Sequence, residues 1–250
     1  MSGHSKWSQI KRKKGVSDQR RGQLFTKIAR EIIVAVKEGG PSPENNFRLR
    51  LSIQKAKDSN MPTDNIERAI IKGSGEAGGA ALAEITLEGY GPHGVAIMVE
   101  ALTDNRNRTV QEVRSAFSRY GGSLASSGAV SWLFDNRGVI VVESDGAQAE
   151  ELALVAIDAG AEDVKEEKGY VEILTTPQNL ETVRKAVEKI KPPVSAEVQR
   201  VAKKTVELGE EEAIKTQKFL DHLEELEDVQ TVCSNLEYSE AVLEKLQAQA

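Results

Sequence analysis

Four consecutive cations, Lys11-Arg12-Lys13-Lys14, are the densest concentration of chemistry in this 250-residue sequence. Such a run neutralises phosphates and releases their condensed counterions, which binds a polyanion without reading its bases. Lys6 precedes the run and Arg20 and Arg21 follow it, with Asp18 the one acid among the first 22 residues. Trp7 adds a flat indole that can stack on an unpaired base. The cations continue at Lys27, Arg30, Arg48, Arg50, Lys55 and Lys57. A second candidate is Asp104-Asn105-Arg106-Asn107-Arg108-Thr109, which follows a strand-like stretch and opens a helical one. Helix N-termini offer free N–H groups and a positive dipole end to anions, and Arg106 and Arg108 strengthen that offer. Plainer alternatives exist for both: a solvated tail for the run, and an ordinary strand-to-helix turn capped by Asn107 or Thr109 for the second stretch. The spread of cations from the arm onto helical segments favours a nucleic-acid face.

Little else in the sequence supports catalysis. His93 sits in Tyr90-Gly91-Pro92-His93-Gly94, which reads as a tight turn exposing a histidine; no nucleophile motif accompanies it. His4 and His222 lie far from it and from each other in sequence, and the single cysteine, Cys233, excludes an internal disulfide and a multi-cysteine metal site. Gly73–Gly79 lacks the Lys-Ser/Thr ending of a phosphate-binding loop. No cofactor and no metal are expected, and catalytic residues are read as none.

The overall charge of −6 conceals a division. Residues 1–75 carry 16 Lys+Arg against 7 Asp+Glu, a net +9, and the rest carries 17 against 32, a net −15. Phosphate contacts are local, since charges are screened over about 8 Å at physiological salt, so the basic end outweighs the acidic whole. No apolar run approaches the roughly 18 residues of a membrane span. The N-terminus lacks the apolar stretch of a secretory signal, and a cytoplasmic location is expected.

Presenting these cations requires ordered elements. Residues 1–22 are too polar to bury much surface and read as a flexible basic arm. From Gly22, Leu24, Ile28, Ile32 and Val36 recur at helical spacing until Gly39-Gly40-Pro41. A second helix is predicted from about Asn46 to Ser59, turning Leu49, Ile53 and Ala56 inward. A third opens at Asp64, with Glu67 at capping-box spacing, and ends at Gly73-Ser74-Gly75. Beyond a Gly-rich linker the period falls to 2. Strands are predicted at Ile85–Leu87 and Val95–Val99 around a Gly89–Gly94 loop, then a helix over Thr109–Tyr120. Val130-Trp132-Phe134 and Val139–Val141 read as strands around an Asp135-Asn136-Arg137-Gly138 turn. Val139 to Val201 follows the order β-α-β-β-α-β, the ferredoxin-like split unit. The tail reads as an acidic helix near Glu210–Glu225, a strand near Val229–Cys233 and a final helix. The fold class is therefore α+β. Its expected parts are a basic arm (1–22), a small helical bundle (23–75), an α/β domain (80–135 plus 204–250) and an inserted ferredoxin-like α/β domain (136–203).

Several stretches together resemble the YebC/PmpR family of probable transcriptional regulatory proteins, which is related to mitochondrial translational activators of cytochrome oxidase subunit I. They are Gly3-His4-Ser5-Lys6-Trp7 with Ile10-Lys11, Phe25-Thr26-Lys27 with Arg30-Glu31-Ile32, Arg48-Leu49-Arg50-Leu51, Asn60-Met61-Pro62 with Asp64–Ile70, Glu88–Pro92 with Gly94, and Thr103–Thr109. Phe47 departs from the pattern, where proline is expected at the start of the second helix. The resemblance implies three domains arranged around a cleft. It also implies a role divided within the family between DNA-binding transcriptional regulators, mitochondrial translation activators and ribosome-associated factors. As family motif positions it points to Lys6, Trp7, Lys11, Arg48, Arg50, Arg106 and Arg108 as contacts. The reading that follows is a non-enzymatic, sequence-tolerant binder of DNA and/or RNA. The first alternative is a ribosome-associated translation factor. An enzyme using the cleft and a protein adaptor docking through the acidic tail are the others. No membrane partner is expected, and monomer or weak dimer is left open.

Overall fold

The computed structural model describes residues 18–75, 82–167 and 169–249. Lys6, Trp7, Lys11, Arg12, Lys13 and Lys14 lie outside them, as does most of the Gly-rich linker. The described residues form two compact units, one of residues 134–203 and one that combines residues before 134 with those after 203.

The larger unit opens with α1 (Asp18–Gly39), α2 (Phe47–Asp58) and α3 (Thr63–Gly73). Helix α1 starts inside the expected arm, where Gln19, Arg20 and Arg21 are good helix formers. Ile28, Ile32, Val36, Leu49, Ala56, Ile66 and Ala69 form the bundle core. A Cβ on Gly73 would lie 2.7 Å from Val36 Cβ, so glycine lets α3 approach α1 this closely. Phe47 needs no proline, because Asn46 caps α2. Its Oδ1 accepts from Leu49 N at 3.0 Å and its Nδ2 donates to Ala35 O at 2.6 Å and Gly40 O at 2.8 Å. The expected Asp64–Glu67 capping box is not formed. Pro62 holds the cap position without a side-chain bond, and the helix begins at Thr63, one residue early.

Strands β1 (Ala83–Tyr90) and β2 (Ala96–Thr103) form an antiparallel hairpin. Gly89 and Tyr90 belong to β1, not to the loop expected there. Helix α4 (Arg106–Arg119) and the short β3 (Ser123–Leu124) follow.

The second unit is β4 (Phe134–Val142), α5 (Gly146–Asp158), β5 (Asp163–Glu167), β6 (Tyr170–Thr175), α6 (Leu180–Glu188) and β7 (Ser195–Ala202). Its sheet order β5-β6-β4-β7 is that of the ferredoxin-like unit. The turn expected at Asp135–Gly138 is instead the middle of β4, paired with β7 from Phe134↔Ala202 to Val141↔Ser195. Asp135 and Arg137 are held by ion pairs with Lys203 and Glu162, which outweighs a turn-forming composition. Val130 and Trp132 lie before this strand, in a loop with one 3₁₀ turn at Ser131–Leu133.

The chain then returns to the larger unit as β8 (Val206–Glu207), α7 (Glu210–Glu225), β9 (Val229–Ser234), β10 (Leu236–Glu237) and α8 (Glu240–Gln249). Strand β9 joins β2 and completes the sheet β3-β1-β2-β9. Helices α4 and α7 pack on it through Phe117 and Phe219, whose rings meet edge to face at 4.9 Å. Among the described residues, no helix is long and apolar enough to cross a membrane.

Candidate nucleic-acid interface

Lys27 and Arg30 are one turn apart on α1 and point together at the end of α7. Lys27 Nζ donates to Glu224 O at 2.5 Å. Arg30 donates to Glu227 O at 2.8 Å, Glu227 Oε1 at 2.7 Å and Asp228 Oδ1 at 3.0 Å. Burial lowers the Lys27 amine to about 8, which the charge of Glu224 only partly opposes. Lys27, Gly22, Gln23 and Thr26 line a recess of about 270 Å³ whose other wall carries Glu225 and Glu227. Its mixed charge does not make it an anion site.

Asp228 gathers the second motif. Its carboxylate is buried, with Oδ2 accepting from Arg108 Nη2 at 2.7 Å, Thr109 Oγ1 at 2.6 Å and Thr103 Oγ1 at 3.1 Å. Burial acts to raise this carboxyl, but the Arg108, Thr109 and Thr103 donors outweigh it and hold it below the ordinary carboxylate range. Asn105, not Asn107 or Thr109, caps α4, its Oδ1 accepting from Arg108 N at 3.1 Å. Arg108 also reaches Asp104 at 2.9 Å. Arg106, in the same first turn, is exposed and has no partner among the described residues.

The remaining cations divide similarly. Arg48 bridges Glu38 at 2.6 Å and Glu84. Arg50 donates to Pro43 O at 2.6 Å and Glu44 O at 3.0 Å, with its guanidinium 5.6 Å from the centre of the Phe47 ring. Lys55 pairs with Glu31 at 2.8 Å. Arg21 is exposed and lies over the Phe25 ring at 5.5 Å. Arg20 lies in α1. Thus Lys27, Arg30 and Arg108 converge on one acidic corner, whereas Arg21, Lys57 and Arg106 are exposed and form no ion pair among the described residues.

Two further features were invisible in the sequence. Asp228 ends the run Glu224-Glu225-Leu226-Glu227, which has the composition of a solvated helix end. Glu88 is buried on β1 and accepts from Gly128 N at 2.8 Å, Val130 N at 2.8 Å and Ser131 N at 2.9 Å. Burial acts to raise it, but those backbone donors prevail and its pKa lies below the ordinary value. Nothing in a lone glutamate on an alternating strand signals such a role. His93, in the turn between β1 and β2, adopts φ 59° and is exposed, its Nδ1 3.4 Å from Glu212.

Comparison with known proteins places this geometry. The profile of the TACO1/YebC N-terminal domain matches residues 5–76, and that of the TACO1/YebC second and third domain matches residues 82–236. A probable transcriptional regulatory protein of Dehalococcoides mccartyi strain CBDB1 is 59% identical over 251 residues, covering 100% of both chains. One from Thermotoga petrophila is 47% identical over 247 residues and 98% of both. The crystal structure of the conserved hypothetical protein Aq1575 from Aquifex aeolicus superposes with a TM-score of 0.81 at 49% identity, covering 89% of this chain and 93% of that one. With both family domains matched and full-length relatives this similar, the chain belongs to the TACO1/YebC family.

Proposed function

We propose that this protein is a non-enzymatic, nucleic-acid-binding regulator of gene expression that acts on DNA as a transcriptional regulatory protein. One observation carries the reading. Lys27, Arg30, Arg48, Arg50, Lys55 and Arg108 are bonded to the protein's own carboxylates and carbonyls. Among the candidate cations in the described residues, Arg21, Lys57 and Arg106 are exposed and not engaged in this way. Seven basic residues against one acid in residues 1–22 supply a sequence-tolerant contact with phosphate. The names of the relatives, probable transcriptional regulatory proteins, support the same reading.

The test is duplex-DNA affinity across a salt series, with wild type beside a variant carrying Lys11, Arg12, Lys13 and Lys14 all changed to Ala. If all four touch phosphate, the slope of log K against log salt falls by about 3–4. An unchanged slope removes the arm from the interface. Failure to bind DNA, with salt-sensitive co-sedimentation with ribosomes that the same variant abolishes, replaces DNA by ribosomal RNA as the target and transcription by translation.

A further inference from the structure

We propose that Trp132 and Tyr90 form a stacking platform for an unpaired base of a single-stranded nucleic acid. The proposal rests on the nucleic-acid reading above and adds a site on the α/β part of the larger unit, away from the basic arm in sequence. Trp132 is 64% exposed and Tyr90 39%, in a protein that buries most of its large apolar side chains. Both are tied to one acceptor. Trp132 Nε1 donates to Ala129 O at 3.0 Å and Tyr90 Oη to the same oxygen at 3.2 Å. Two exposed aromatic side chains thereby meet at one oxygen with their polar donors already engaged.

The support beneath them is built. Gly89 faces Phe117 of α4, so its neighbours Glu88 and Tyr90 lie on the opposite face of the sheet. There the Glu88 carboxylate receives the backbone N–H groups of Gly128, Val130 and Ser131, which fixes the loop that carries Ala129 and Trp132. The preceding Ser126, Ser127 and Gly128 are small and exposed, leaving the approach uncrowded. Rings held this way lose little freedom when a flat partner arrives.

The bonding pattern selects the partner. A proline-rich or other extended peptide is commonly held on aromatic residues by an N–H or O–H donated to its carbonyls, and here both donors are already engaged by Ala129. A nucleobase needs only a π face, and stacking of this kind tolerates any sequence. Paired bases within a duplex keep their faces covered, so the platform selects single strands.

The test uses Trp132 as its own reporter. The chain holds two tryptophans, Trp7 and Trp132, so Trp7→Phe leaves Trp132 as the one tryptophan, whose emission can be excited apart from that of tyrosine. Oligo-dT and oligo-U are expected to quench it, whereas a blunt dA·dT duplex is not. In the otherwise native chain, Trp132→Ala should weaken single-strand binding roughly 5- to 150-fold, the equivalent of one stacked base, without changing the salt slope. Trp132→Phe should recover most of the loss. Single-strand affinity unaltered by Trp132→Ala overturns the platform while leaving the arm's role intact. Quenching by a polyproline peptide but by no oligonucleotide overturns it in favour of a protein ligand. A wild-type chain that binds no nucleic acid removes both readings together.

Discussion

Arg30 and Arg108 come from distant parts of the chain and hold opposite oxygens of one buried carboxylate, Asp228 Oδ1 at 3.0 Å and Oδ2 at 2.7 Å. Arg30 belongs to the helical bundle, and Arg108 and Asp228 to the α/β layer, so this carboxylate ties the two layers of the larger unit. A buried charge is tolerable only when its lone pairs are satisfied, and Thr103 and Thr109 supply the remaining donors.

Asp228→Asn should therefore destabilise the fold by about 2–3 kcal/mol, because an amide cannot serve two guanidiniums and two hydroxyls. Urea denaturation should show a lower midpoint with an unchanged m-value. The carboxyl is held below its ordinary pKa, so the unfolded chain binds the proton first as pH falls. The stabilisation is complete above about pH 4 and is lost as pH falls through the lower, folded value. The gap between wild type and variant should close over that range, and a constant gap would refute the assignment.

Lys27 predicts the opposite end of the pH scale. Its folded pKa of about 8 lies below the ordinary lysine value of 10.5, so between them the unfolded chain holds a proton that the folded chain has released. Stability should rise with pH across that window. Lys27→Met should lack the rise when urea midpoints are compared at the two ends.

The two arginines of the Asp104–Thr109 motif should separate cleanly. Arg106→Ala should leave the urea midpoint unchanged and lower the DNA salt slope by about 0.9, one phosphate contact. Arg108→Ala should lower the midpoint and hardly move the slope. The reverse outcome would mean that Asp228 yields Arg108 to the ligand.

Gly89→Ala tests the packing beneath the platform. The added Cβ would stand 2.6 Å from Phe117 Cε1 and from Ser123 O, the latter backbone that cannot swing away. A loss of about 1–3 kcal/mol is expected, read as a lower Tm in calorimetry.

Much of the fold was legible because its signals are local. The four-residue recurrence of Leu24, Ile28, Ile32 and Val36 specifies a helix wherever the chain goes, and Val139 to Val201 carries the β-α-β-β-α-β order in its periodicity alone. The failures fell where a distant partner decides. Asp135-Asn136-Arg137-Gly138 has the composition of a turn, yet pairing with β7 draws it into a strand. Val130, Trp132 and Phe134 alternate like a strand, yet the bonds from the backbone of Val130 and Ser131 to Glu88 hold the first two in a loop.

The candidate site divides along the same line. The sequence by itself determined the family, the α+β class and the excess of cations at the N-terminal end, because composition and spacing are properties of the chain. Only the tertiary structure decided which cations are available. Arg106 and Arg108 are both exposed, but Asp228 engages Arg108 and leaves Arg106 without a partner among the described residues, and Asp228 stands beside Arg108 because β9 pairs with β2. A charge becomes a ligand contact or a structural bond according to which opposite charge folding brings within hydrogen-bonding distance, and no local pattern records that distance.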